Sequence, residues 1–222
     1  MRVCLIHGTT QSPRGWDLLV HELMAWGVEV TAVDLPVDRQ NEGADFFARE
    51  IADQMPPGEP PVVVAHSAAG LILPIVPQHM DVARLVYLAA VIPKPGSSLI
   101  ARFNESPEMI LPDWRGKDPT KDDDVARRFL FHDCEERIQD WALTTLRFWF
   151  SMKVNNEDCP LRELPQIPTT YISASQDRTI NPEWWEREAE RSIGVAAVRI
   201  DSGHAPHVSQ PREVARLIRE GS

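Results

Sequence analysis

Short apolar runs alternate along this chain with amphipathic ones. Near-continuous Val, Ile and Leu character at Val3–Ile6, Val28–Val33, Val62–Ala65, Leu85–Ala89, Thr169–Ala174 and Ala196–Ile200 predicts six strands. The weak polar alternation within them predicts burial on both faces, as in parallel strands covered by helices. Between the strands, apolar positions recur at helical spacing over Trp16–Trp26, Ala44–Met55, Ala68–Val76, Glu183–Ser192 and Arg212–Glu220. This alternation predicts βαβ units with right-handed crossovers, hence an α/β fold with a mostly parallel six-stranded sheet flanked by helices.

The alternation breaks over residues 94–168. This stretch opens at Pro93-Lys94-Pro95-Gly96 and closes with Pro160, Pro165 and Pro168. Helical patterning inside it covers Asp122–His132 and Glu135–Phe150. It also holds Phe103, Trp114, Phe129, Phe131, Trp141, Phe148, Trp149 and Phe150, half of the chain's Phe, Trp and Tyr residues. We read residues 1–222 as one domain, with 94–168 as a helical cap inserted after the fourth strand. Most of these rings then pack the cap onto the body, and Phe103, Trp114 and Trp149 are candidates to face a substrate.

At 222 residues, 43% hydrophobic and 25% charged, the chain is long enough for one sizeable core. The net charge of −10 speaks against nucleic acid and anionic membranes as partners. No run approaches the ~20 apolar residues of a membrane span. Met1-Arg2 leads directly into a strand, so no secretory leader is expected. Cys4, Cys134 and Cys159 are odd in number and scattered, which predicts reduced thiols in a cytoplasmic protein. The expected partner is a small-molecule substrate, with no nucleic acid and no membrane; a homodimer is compatible with these features.

The candidate chemistry starts at Val64-Ala65-His66-Ser67-Ala68-Ala69-Gly70, between a strand and a helix-like run. A serine on a tight strand-to-helix turn with small neighbours is how a nucleophile is presented at the carboxyl end of a sheet. The usual spacing is Gly-x-Ser-x-Gly. Here Ala65 and Ala69 replace both glycines, and Gly70 stands one position late. The base candidate is His204, after the last strand, with Gly203 freeing the backbone before it; His207 competes, with a loop surface or pocket rim as its alternative place. Asp177, after the fifth strand, is the acid candidate and completes the chain order Ser, Asp, His. Asp34 and Asp201 are its fallbacks, Asp34 more naturally holding its own loop. Backbone N–H groups of Ala68 and Thr9 are the oxyanion-hole candidates, with Gly8 allowing close approach at the substrate side and His7 steadying the loop. His132-Asp133-Cys134 has metal-ligand residue types, but adjacent side chains rarely converge on one ion. Asp122-Asp123-Asp124 reads as a solvated helix start, and Trp184-Trp185 as helix-to-sheet packing. No metal and no cofactor are expected.

With His7-Gly8, Asp34-Leu35-Pro36, Ala65-His66-Ser67-Ala68-Ala69-Gly70, Asp177 and Gly203-His204 with Pro211 in place, the chain resembles the α/β-hydrolase superfamily over nearly its whole length. Within it, the chain is similar to the small methylesterase and hydroxynitrile-lyase group. The resemblance implies an α/β-hydrolase fold and cleavage of a small carboxylic ester or lactone by a serine nucleophile. It also implies a discriminator: the lyases of that group carry Thr at the position of Gly8 and Lys at that of Ala205. The alternatives are non-hydrolytic use of the same residues (lyase, acyltransferase or cyclase) and a non-catalytic ligand-binding module.

Overall fold

Six strands form in the computed structural model, which describes residues 1–149 and 151–221. They are β1 (Arg2–Ile6), β2 (Glu29–Val33), β3 (Val62–His66), β4 (Arg84–Leu88), β5 (Thr169–Ala174) and β6 (Val198–Ile200). All pair in parallel in the order β2-β1-β3-β4-β5-β6. Because β1 leads left to β2 while β3 lies on its right, the loops after β1 and β3 part company. In open parallel sheets such a point, at the carboxyl ends of the strands, is where a ligand crevice forms.

Strand side chains alternate between two cores, as the period of two requires. Val3, Leu5, Val62, Val64, Val86 and Leu88 face α1 (Asp17–Ala25) and the C-terminal α9 (Pro211–Glu220). Cys4, Ile6, Val63, Ala65, Leu85 and Tyr87 face α2 (Ala44–Gln54) and α7 (Pro182–Ile193). Both faces are therefore apolar, and the unbroken Val/Ile/Leu runs follow from this. Trp185 of α7 is fully buried and donates its indole N–H to the Met109 carbonyl at 3.0 Å.

The segment expected as a helix over Ala68–Val76 instead forms two 3-10 stretches, Ser67–Leu71 and Leu73–Gln78. Pro74 and Pro77 lack the N–H groups that an α-helix needs there.

Between β4 and β5 the chain forms α3 (Leu99–Glu105), α4 (Asp123–Phe129), α5 (Glu136–Leu143) and α6 (Met152–Asn156). Asp122 caps α4, accepting the N–H groups of Asp124 and Val125 at 3.0 and 3.1 Å. The helix expected over Glu135–Phe150 ends early, at Leu143. The following residues run as a strap beside the loop after β1. The N–H groups of Arg147 and Trp149 donate to the carbonyls of Thr10 and Thr9, and Leu146 bridges antiparallel to Gln11. Those backbone groups find partners across the fold rather than along a helix. Phe150 lies outside the described residues. No described helix is long and apolar enough to cross a membrane.

Candidate active site

The strand-to-helix turn after β3 bends sharply. Ser67 has φ of 56°, a left-handed conformation that costs a residue with a Cβ on the order of 1 kcal/mol or more. Ala65 and Ala69 on either side are completely buried. The late glycine has a steric reason of its own. A Cβ on Gly70 would collide with the Val91 carbonyl oxygen, in the segment that follows β4. Val91 in turn donates its N–H to the Ser67 carbonyl at 3.0 Å. The turn thus needs its glycine where it meets the segment after β4, three positions after the serine. Gly8 is equally constrained, since a Cβ there would lie 2.9 Å from Ser67 Cβ.

Three side chains converge over this turn. His204 Nε2 lies 3.0 Å from Ser67 Oγ, and His204 Nδ1 lies 2.6 Å from Asp177 Oδ2. The carboxylate only accepts, so Nδ1 carries the proton and the Nε2 lone pair faces the serine hydroxyl. Asp177 Oδ1 is also fully engaged, receiving Thr179 N–H at 2.6 Å, Thr179 Oγ1–H at 2.9 Å and Ile180 N–H at 3.1 Å. These bonds fix the carboxylate plane. Loops after β3, β5 and β6 thereby join distant parts of the chain into one hydrogen-bonded relay.

Two backbone N–H groups, of Ala68 and Thr9, are the oxyanion-hole candidates. The Ala68 N–H belongs to the first turn of a 3-10 segment, where no intrahelical acceptor exists. The Gly8 carbonyl accepts His7 Nδ1–H at 3.0 Å and Gln11 N–H at 3.3 Å. Because the peptide unit is planar and trans, a pinned Gly8 carbonyl aims the Thr9 N–H the opposite way. His7 Nε2 accepts Leu35 N–H at 3.2 Å. Burial pushes its pKa down to about 4, so the neutral tautomer persists and His7 steadies this loop.

The other candidates separate clearly. His207 is not on a surface: it is completely buried in α8 (Pro206–Ser209), and its Nε2–H donates to Gln11 Oε1 at 3.1 Å. The 4.2 Å between the Trp16 and His207 ring centres explains why no exposed rim position remains for it. Asp34 pairs with Arg147 of the strap. Asp201 receives Gln176 Nε2–H at 2.6 Å and lies outside the relay. Trp149 is buried, with its ring 5.0 Å from that of Phe47 and 6.4 Å from that of His7. Phe103 lies beneath the Arg115 guanidinium, and Trp114 packs 5.5 Å from Phe129. Their described contacts are thus internal to the body and the insertion. Burial pushes the Cys4 and Cys134 thiols up to about 12, so both stay protonated and unreactive.

His66, immediately before the serine, is a site residue that the sequence alone does not single out. Its Nε2–H donates to the His204 carbonyl at 2.7 Å, tying the turn after β3 to the loop after β6. Burial, with His207 and His204 nearby, holds its pKa well below the usual histidine value. The only sequence signal was a polar residue at the end of an otherwise apolar strand.

The model of the alpha/beta hydrolase family matches residues 5–217. The alpha/beta hydrolase nvfD of Aspergillus novofumigatus (strain IBT 16806) is 25% identical over 243 aligned positions, covering 99% of this chain and 96% of its own. Polyneuridine aldehyde esterase superposes with a TM-score of 0.79 at 20% identity, covering 99% of this chain and 98% of its own. A pyrethroid hydrolase from Sphingobium faniae JZ-2 superposes at 0.78 and 22% identity, with 99% and 96% covered. At such identities the solved structures share a fold with this chain.

Proposed function

The chain belongs to the alpha/beta hydrolase family, and from that premise we propose that it is a serine hydrolase cleaving a small carboxylic ester or lactone through an acyl-enzyme. The observation that carries this reading is the continuous relay from Ser67 Oγ through His204 to Asp177, at 3.0 and 2.6 Å. Ser67 Oγ attacks the ester carbonyl carbon while its proton passes to His204 Nε2. Asp177 holds the imidazole in the required tautomer and stabilises the imidazolium. The oxyanion forms against the Ala68 and Thr9 N–H groups, each worth about 3 kcal/mol in typical holes of this kind. Collapse expels the alcohol, which takes the proton from His204. Water, activated by the same imidazole, then releases the acid and restores Ser67. Residues 94–168 act as the lid over this chemistry.

Two positions favour hydrolysis over the lyase alternative. A larger residue at Gly8 would press on Ser67 Cβ, and Ala205 is buried in a cluster with Phe131 and Val208, where a lysine ammonium has no place.

Ser67→Ala and His204→Ala are expected to lower turnover of an activated aryl ester at least about a thousandfold while the fold melts cooperatively as before. A fluorophosphonate probe is expected to label Ser67 alone. Ordinary turnover in either variant overturns the proposal.

A further inference from the structure

The relay places one demand on the scaffold that its own three side chains do not meet. The loop after β5 brings Asp177 and the loop after β6 brings His204, so these loops must keep a fixed register. At their bases they are tied directly, by Ser175 N–H to the Ile200 carbonyl at 3.0 Å and Gln176 N–H to the Ser202 carbonyl at 2.9 Å. Beyond that point both are gripped by a single turn of the insertion, between α4 and α5. His132 Nε2–H donates to the carbonyl of Gln176, the residue before Asp177, at 3.1 Å. Asp133 Oδ2 accepts the N–H of Gly203, the residue before His204, at 2.7 Å.

Three further features mark this turn as built for that contact. A Cβ on Gly203 would fall 2.7 Å from Asp133 Oδ1 and 2.9 Å from His132 Nε2, so the glycine admits the insertion side chains against the base loop. This corrects the expectation that Gly203 serves to free the backbone: it is not among the positive-φ glycines. Asp133 Oδ1 is buried with no hydrogen-bond partner among the described residues, a desolvation cost that packing alone does not demand. Phe131 beside the turn joins a buried cluster with Ala205 and Val208, which follow His204.

We propose that His132 and Asp133 are positioning residues of the reaction, holding the acid loop and the base loop in register from the insertion. The inference rests on the serine-hydrolase reading above. The insertion then carries part of the alignment of the relay, besides covering it.

The test measures the rate constant for Ser67 labelling by a fluorophosphonate, together with kcat and KM for an activated aryl ester. Asp133→Ala is expected to lower the labelling rate and kcat by about ten- to a hundredfold with KM nearly unchanged, the size of effect expected from small misplacement of reacting groups. Asp133→Asn keeps an oxygen to accept the Gly203 N–H and is expected to recover most of the rate. Gly203→Ala is expected to lower kcat in the otherwise native protein, yet to cost nothing further when His132 and Asp133 are both alanine. His132→Ala, at a half-buried residue, carries the same test if Asp133→Ala does not fold. Native labelling rate and kcat in folded Asp133→Ala or His132→Ala, with the unmodified protein labelled at Ser67, overturns this inference alone. An unlabelled unmodified protein overturns the serine-hydrolase reading and this inference with it.

Discussion

At the scale of single residues, what matters around Ser67 is the room that each neighbour leaves. Ala69 occupies the usual glycine position after the serine, while Gly70 is the residue that no side chain can replace. A methyl at Gly70 would meet the backbone carbonyl of Val91, whose own N–H is bonded to the Ser67 carbonyl, so nothing flexible can yield. Gly70→Ala is therefore expected to destabilise the fold by about 3 kcal/mol, at the upper end of ordinary overpacking. Ala69→Gly is expected to cost roughly 1 kcal/mol or less, through lost backbone restriction and a small void. Urea denaturation of both variants checks this contrast, and the reverse order of stabilities refutes it. His66 makes the same point differently, since its value lies in the one carbonyl it reaches.

At the scale of elements, the insertion is fastened to the body at several points, each by a different interaction. The strap over 144–149 uses backbone hydrogen bonds to the loop that carries Thr9. The base of the insertion uses a buried ion pair: Arg102 of α3 meets Glu188 of α7 at 2.7 Å, with side chains only 5% and 3% exposed. Arg102 also reaches the Ile92 carbonyl and lies 5.5 Å from the ring centres of Trp184 and Trp185. Glu188→Ala leaves that guanidinium buried without its counter-ion, and a loss of about 3 kcal/mol is expected. Replacing both partners, as in R102M/E188L, is expected to cost much less, because no charge then remains to be buried. Equilibrium unfolding of the two variants decides the matter, and equal losses would contradict it.

At the scale of the whole molecule, the buried histidines set how stability responds to acid. His7 and His207 are held down to about 4 and about 3 by burial, and His66 lies well below its ordinary value. In the unfolded chain each titrates at about 6.5. Above that pH both states are neutral at these sites and no penalty exists. As pH falls from about 6.5 toward about 4, the unfolded chain takes up protons that the folded one refuses, so stability declines. For His7 alone the loss is roughly 2 kcal/mol at pH 5. Melting temperature is thus expected to be level near neutrality and to fall steadily across this window, with a shallower slope in His207→Gln. A flat profile down to pH 4.5 would show that these rings are not buried neutral.

The sequence by itself determined the alternation of strands and helices, because parallel strands covered on both faces must be continuously apolar and their helices amphipathic. It also marked Ser67, Asp177 and His204, since residues that end strands of such a sheet share one rim whatever lies between them in the chain. Tertiary structure decided what local pattern cannot encode. Pairing with the loop after β1 drew 144–149 out of the predicted helix, and contact with the segment after β4 fixed which position after the serine had to be glycine. Packing took His207 from an expected rim into the core, and brought His132 and Asp133, which adjacency had set aside as ligands, against the two loops of the relay. In each case the deciding partner lies far away in the chain, and such a contact leaves no periodic trace in the sequence around the residue it constrains.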